Sequence, residues 1–306
     1  MIDGEWVATV DGEGAWRQTR SMDAEQLDFF RDFGGAAVQR SAAPRALSAP
    51  SNFEVTELDD HALLAELANA SLEDRLTLLA EAGRRRLAAA IPLLRDVCRR
   101  HAGFGARRLI PEQIAALNAL VAIGTREAAH SVAEAVERGW VEGPALAVAV
   151  WCAGRLRANL STETVAVLLQ HPDPSVRVAG CACARPYPTI ITLLGELMGD
   201  VRRPVAEAAA CALGRLGRIE ARPVLAALLE RTPSEEVIEA VGSVADELCL
   251  VLLGRIARSG SKLAPAALAA LEGSDHPQAA KVIATIVPPK SAPASARSTA
   301  APQRMT

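Results

Sequence analysis

The spacing of apolar positions divides the chain into a long helical middle and two stretches of different character. From Leu58 to Val287 apolar residues recur at i, i+3, i+4 and i+7, the period of helices with one buried face. Leucines at 63, 64 and 67 and at 72, 76 and 79 mark helices over Asp59–Asn69 and Leu72–Ala90. Ser71-Leu-Glu-Asp74 has the form of a capping box for the second of these. Pro92 opens a helix to about His101, Pro111 one to Ile123, and Thr125 one ending near Gly139. Further second helices are predicted near Thr162–Gln170, Thr189–Met198, Ala221–Arg231 and Asp246–Arg258, followed by Lys262–Leu271 and Gln278–Val287. Thr232-Pro-Ser-Glu235 reads as another capping box.

The middle of this pattern repeats. Pro144-Ala-Leu-Ala-Val-Ala-Val-Trp-Cys-Ala-Gly-Arg155, Pro174-Ser-Val-Arg-Val-Ala-Gly-Cys-Ala-Cys-Ala-Arg185 and Pro204-Val-Ala-Glu-Ala-Ala-Ala-Cys-Ala-Leu-Gly-Arg215 stand thirty residues apart. Prolines at 111, 144, 174, 204, 233 and 265 extend the series, and proline suits a first helical turn because its missing N–H has no partner there. Five residues after these prolines stand Ala116, Ala149, Ala179, Ala209 and Ile238; eight after stand Ala119, Cys152, Ala182, Ala212 and Val241. Small residues on one face let helices approach closely, while Val165, Leu168, Leu169, Leu193, Leu194, Leu197, Leu225, Leu228 and Leu229 supply bulk from the second helices. A fixed period of this length predicts an all-α solenoid of about six helical hairpins over residues 58–287.

Composition agrees: half the residues are apolar but only 3% aromatic, so the core is Ala, Leu and Val, unlike a sheet protein. Residues 1–57 form an acidic extension holding Trp6, Trp16, Phe29, Phe30, Phe33 and Phe53, with a short helix at Asp23–Phe33 and a linker at Ser41–Asn52. Trp6, Trp16, Phe29, Phe30 and Phe33 are candidate anchors, docking either on the chain's own solenoid or on a partner. Residues 288–306 lack apolar periodicity and are expected to be a disordered, mildly basic tail.

Asp173-Pro-Ser-Val-Arg177 before an Ala-rich helix, and Ala-Ala-Cys-Ala-Leu-Gly-Arg-Leu-Gly217 before Val-Leu-Ala-Ala-Leu-Leu229, resemble bacterial HEAT repeats, more narrowly the short variety also found in phycobilisome lyases. The resemblance covers about 111–258. It implies stacked helix pairs with a concave surface for binding other macromolecules, and says little of activity.

Candidate chemistry is sparse. No phosphate-binding loop, nucleophile elbow, dinucleotide fingerprint or HExxH appears, so no catalytic residue, cofactor or metal is assigned. Cysteines 98, 152, 181, 183, 211 and 249 invite a metal reading, but Cys181 and Cys183 point roughly 200° apart on a helix, and free cysteine packs as a small apolar residue. Arg155, Arg185 and Arg215 share one column and are expected to form a row able to grip carboxylates bidentately, unless helix-end carbonyls or neighbouring acids occupy them. A second basic run, Arg84 to Arg108, includes Arg84, Arg85, Arg95 and Arg99 and is countered only by Asp96.

Net charge −3 and the lack of interleaved aromatics argue against nucleic acid. The longest apolar run, Ala145–Ala153, is about half the roughly 20 residues a bilayer crossing needs. Scattered cysteines and an acidic start without a signal peptide point to the cytoplasm. The expectation is a non-catalytic adaptor or assembly factor holding an acidic protein or peptide in its concave groove. Two alternatives stand beside it: a bilin lyase or isomerase-like protein, and a HEAT-like nucleic-acid-binding protein or DNA glycosylase.

Overall fold

The structure is a computed structural model and describes residues 55–286, without the side chains of Thr56, Leu72 and Glu73. The acidic extension with its aromatic anchors and the basic tail lie outside these residues. Fifteen α-helices follow one another, with no strand among the described residues. They are α1 (Asp60–Asn69), α2 (Leu72–Arg84), α3 (Ile91–Arg100), α4 (Pro111–Ile123), α5 (Arg126–Glu137), α6 (Leu146–Arg155), α7 (Thr162–Leu169) and α8 (Pro174–Ala182). There follow α9 (Pro188–Leu197), α10 (Arg203–Arg215), α11 (Arg222–Arg231), α12 (Glu235–Gly242), α13 (Glu247–Arg258), α14 (Ala264–Glu272) and α15 (Ala279–Ile286).

Helices α2 to α15 alternate as first and second helices of seven consecutive units. Each second helix from α3 to α13 packs on the first helix of the next unit, and α1 packs on α2 ahead of them. One more hairpin exists than the proline series counts, because α2 and α3 form a full unit whose first helix has no opening proline. First helices α2, α4, α6, α8, α10, α12 and α14 make one row, each touching the next; second helices form the other. A single apolar core runs along the seam, from Val55 to Ala279.

The first row is close-packed for the reason the small-residue columns suggest. Ala116, Ala149 and Ala209 are fully buried and Ala179 nearly so. Glycine tightens the row further. A Cβ on Gly83 would stand 2.9 Å from the Ala119 Cα, one on Gly154 2.8 Å from the Ala182 Cβ, and one on Gly214 2.9 Å from the Ala240 carbonyl oxygen. These glycines of α2, α6 and α10 meet α4, α8 and α12, so even a methyl group would push successive first helices apart.

Helix starts follow side-chain capping. Asp59, Ser71, Thr125, Ser161, Asp173, Ser234 and Asp246 each accept a hydrogen bond from a first-turn amide. Two of the boundaries that differ from the periodicity have a local cause. Helix α2 stops at Arg84 instead of Ala90, because Arg86 turns left-handed and a short 3₁₀ turn, Ala88–Ala90, leads into α3. Helix α12 begins at Glu235, capped by the Ser234 hydroxyl, so Thr232 and Pro233 precede the helix and the expected box shifts by two residues.

Candidate functional site

Each hairpin turns from its first to its second helix at the same edge of the array, and hydrogen bonds tie neighbouring turns together. Arg185, beyond α8, donates to the carbonyls of Arg157 and Ala158, each at 3.3 Å, in the turn of the preceding unit. The Arg222 Nε donates to the Val244 carbonyl at 2.8 Å, in the turn of the following unit. Four of the turns close on a residue with positive φ: Arg86 (54°), Gly124 (70°), Arg157 (50°) and Gly217 (72°). Six-to-one hydrogen bonds complete three of them, Leu87 N to Ala82 O at 3.0 Å, Ala158 N to Ala153 O at 2.8 Å and Arg218 N to Leu213 O at 2.9 Å.

Glycine holds this position without cost, whereas a side chain there costs about 1 kcal/mol. Two turns nevertheless place an arginine in it. Arg86 and Arg157 are exposed, and neither forms an ion pair among the described residues.

The arginine column of the repeats is not a uniform row. Helices α6 and α10 end at Arg155 and Arg215, but α8 ends at Ala182, three residues before Arg185. Pro186 disfavours helical backbone at Arg185, and Pro188 starts the next helix. The same early end leaves Ala182 exposed where Cys152 and Ala212 are buried. Arg215 reaches across the face of the first helices to the Glu236 carboxylate at 2.9 Å and the Cys181 carbonyl at 3.4 Å. The Arg155 guanidinium lies 5.7 Å from the Trp151 ring centroid.

The Arg84–Arg108 run divides between two edges, because α3 spans about 15 Å of axis between its ends. Arg84, Arg85 and Arg86 lie at the turn edge. There the buried Glu81 carboxylate accepts from Arg84 and Arg85, and Arg85 donates also to the carbonyls of Leu58 at 2.6 Å and Val55 at 3.1 Å. Arg95, midway along α3, stands 3.9 Å from Glu134, and Arg99 pairs with Asp96 at 3.1 Å. Arg100, Arg107 and Arg108 are exposed at the opposite edge with Phe104.

What periodicity does not reveal is the apolar component of the turn edge. Tyr187, 48% exposed, follows Arg185 in one turn, and Ile219, 61% exposed, follows Arg218 in the next. Three successive turns thus present Arg155 and Arg157, then Arg185 and Tyr187, then Arg218 and Ile219. Acids also stand among these turns: Glu220 holds Arg218 at 2.6 Å, and Glu137 accepts from the Ser161 amide at 2.7 Å. The paired prolines around Tyr187, which break the helical register, are the available sequence signal for the middle turn.

The cysteines are core residues. All six are free and buried, and burial pushes the thiols of Cys98, Cys181 and Cys183 up to about 12 and that of Cys249 to about 11, while raising Cys152 and Cys211 as well. Native protein at pH 8 should therefore leave all six thiols unreacted with a chromogenic disulfide on the minutes scale, and release six equivalents in denaturant. A fast-reacting native thiol would contradict this burial. No cluster of three or more His, Cys, Asp and Glu side chains is placed to hold a metal among the described residues. No helix among them is long and apolar enough to cross a membrane. A shallow groove between α12 and α14 is lined by Gly242, Ala266, Ala269 and Gly273, with Glu235 and Glu239 on one side. Its acidic wall is opposite in sign to the turn edge.

Residues 161–245 match the family model for HEAT repeats, a stretch that runs from the cap of α7 to the turn before α13. HEAT repeats commonly act as protein-interaction scaffolds, and the fold is generally non-enzymatic. No curated protein matches the chain.

Proposed function

Starting from a HEAT-repeat protein, we propose that this one is a non-catalytic scaffold or adaptor whose turn edge, from α2 to α11, binds an acidic, partly apolar segment of another protein. The observation that carries this reading is Arg157. It is exposed, has no ion pair among the described residues, and occupies a left-handed position that glycine fills in the α10–α11 turn. Fold stability alone favours glycine there. Arg185 and the exposed Tyr187 and Ile219 continue the same line, one unit after another. Successive units stand about 8–10 Å apart, close to three residues of extended chain. A bound segment with a carboxylate or an apolar side chain at every third position would meet each unit in turn.

In this reading affinity comes from the apolar contacts, and charge sets register and rate of encounter. Six free, buried thiols suit a reducing compartment, and we place the protein in the cytoplasm.

The test separates the edge from the fold. Replacing Arg86 and Arg157 together by glycine removes two charges and relieves two left-handed side chains. The variant should melt later than wild type, by about 1 kcal/mol per site. It should also recover several-fold less of the partner set that quantitative mass spectrometry identifies on the wild-type protein in extracts of its own cell. Undiminished recovery would remove the turn edge from consideration.

A further inference from the structure

We propose that the turn edge has a ligand within the chain itself: residues 3–16, which would occupy it in cis and compete with the partner. The inference rests on the reading of that edge as a binding surface, and names its regulation.

Residues 1–16 carry Asp3, Glu5, Asp11 and Glu13 without a single lysine or arginine, and each acidic pair precedes a tryptophan. The order is Asp-Gly-Glu-Trp6, then Asp11-Gly-Glu-Gly-Ala-Trp16. The edge offers the complement, exposed guanidinium groups at Arg86, Arg126 and Arg157, the Arg185 guanidinium, and apolar side chains at Tyr187 and Ile219. Carboxylate pairs meet arginine bidentately, and an indole supplies a large apolar surface at low entropic cost.

Geometry permits the contact. The described chain begins at Val55, whose carbonyl accepts from Arg85 at 3.1 Å, so the described array starts at the turn edge itself. Thirty-eight residues, 17–54, separate Trp16 from Val55. With the expected Asp23–Phe33 helix as a rod of about 16 Å and the rest as flexible chain, a connection of that length would span about 31–35 Å root-mean-square. The edge from α2 to α10 covers four helix spacings, about 32–40 Å. A tether matched to its span holds the acidic segment at an effective concentration near the millimolar range, enough to populate a weak contact. The same match makes the contact displaceable, since a partner with better apolar packing needs only to exceed that local concentration.

Hydrogen exchange of the full chain, followed by mass spectrometry, tests this. In wild type, amides of residues 3–16 should exchange about tenfold more slowly than in a synthetic peptide of the same sequence. Protection should fall in 0.5 M salt, roughly the regime where charges beyond a few ångströms are screened. The triple variant Arg157→Glu, Tyr187→Ser, Ile219→Ser should exchange in this segment as the free peptide does. All three positions are at the surface, and unchanged exchange in α6 and α10 shows that the array stays folded. Free-peptide exchange of residues 3–16 in wild type overturns the proposal. So does protection that disappears on tenfold dilution, which assigns the contact to a second copy. The partner reading is judged separately: an unprotected segment with partner capture that depends on Arg157 defeats this inference alone, whereas a protected segment with undiminished capture by the Arg86/Arg157 glycine variant defeats that reading alone.

Discussion

Ala209→Glu is expected to break the array. Ala209 lies on α10, fully buried in the row between α8 and α12, and the equivalent Ala116 and Ala149 are equally inaccessible. A glutamate there adds four heavy atoms to a seam in which Gly214, one and a half turns away, already touches α12 more closely than a methyl group would allow. Overpacking costs about 1–3 kcal/mol, and a buried carboxylate without a cation costs several more unless it takes up a proton. A total stability of about 5–15 kcal/mol does not absorb that sum comfortably.

In a quasi-one-dimensional stack the damage is local first. Units beside α10 lose their interface, and the melt should split into two or more steps instead of shifting as a whole. Far-UV circular dichroism should show loss of helix beginning at least about 10 °C below wild type. Ala80→Glu, on the exposed face of α2, is the matched control and should melt within a degree or two of wild type. If both variants behave alike, the close packing of the first row does not hold the array together.

The features legible in the sequence are those set by short-range repetition. A proline at the first turn, an alanine five residues later and leucines on the second helix act over ten or fifteen residues, so the hairpins and their buried columns follow from them. Helix ends are less legible, because they depend on single residues in special conformations. Arg86 ends α2 by turning left-handed, a role that composition assigns to glycine, and Pro186 ends α8 before the repeat would have it end.

The same distinction explains the candidate site. Arg155, Arg185 and Arg215 align in sequence, yet one lies on Trp151, one donates to turn carbonyls and one pairs with Glu236, since each side chain answers to the neighbouring unit. The edge on which Arg157, Tyr187 and Ile219 come together is created by stacking. No window of one sequence repeat contains it.

The second large effect concerns acid. Glu81 is 7% exposed at the end of α2, accepting from Arg84 at 2.7 Å and Arg85 at 2.6 Å, and these contacts, Arg84 first, hold its carboxyl down to about 2 from an ordinary 4.5. A carboxyl lowered in the folded state stabilises the fold above its unfolded value, and that stability is lost as pH falls from about 4.5 towards 2. The shift corresponds to roughly 3 kcal/mol, but Arg84 is 62% exposed and salt screens part of its share, so about 2 kcal/mol is expected. Arg85 extends the consequence beyond α2, since the same guanidinium holds the Val55 and Leu58 carbonyls and Asp60 at 3.2 Å. Protonating Glu81 therefore loosens the whole amino-terminal end of the array.

Glu81→Gln isolates this contribution from the other carboxylates that titrate in the same window, among them Asp246, lowered mainly by its cap hydrogen bond from Cys249. Urea unfolding, with hydrogen exchange of α1 and α2 as the readout, should find the variant about 2 kcal/mol weaker at pH 7 and nearly equal to wild type at about pH 1.5. The gap should narrow from about pH 4.5 and close below the folded-state pKa of about 2. A gap that stays constant over this range would mean that the Glu81 charge contributes nothing, and that packing alone anchors the start of the array.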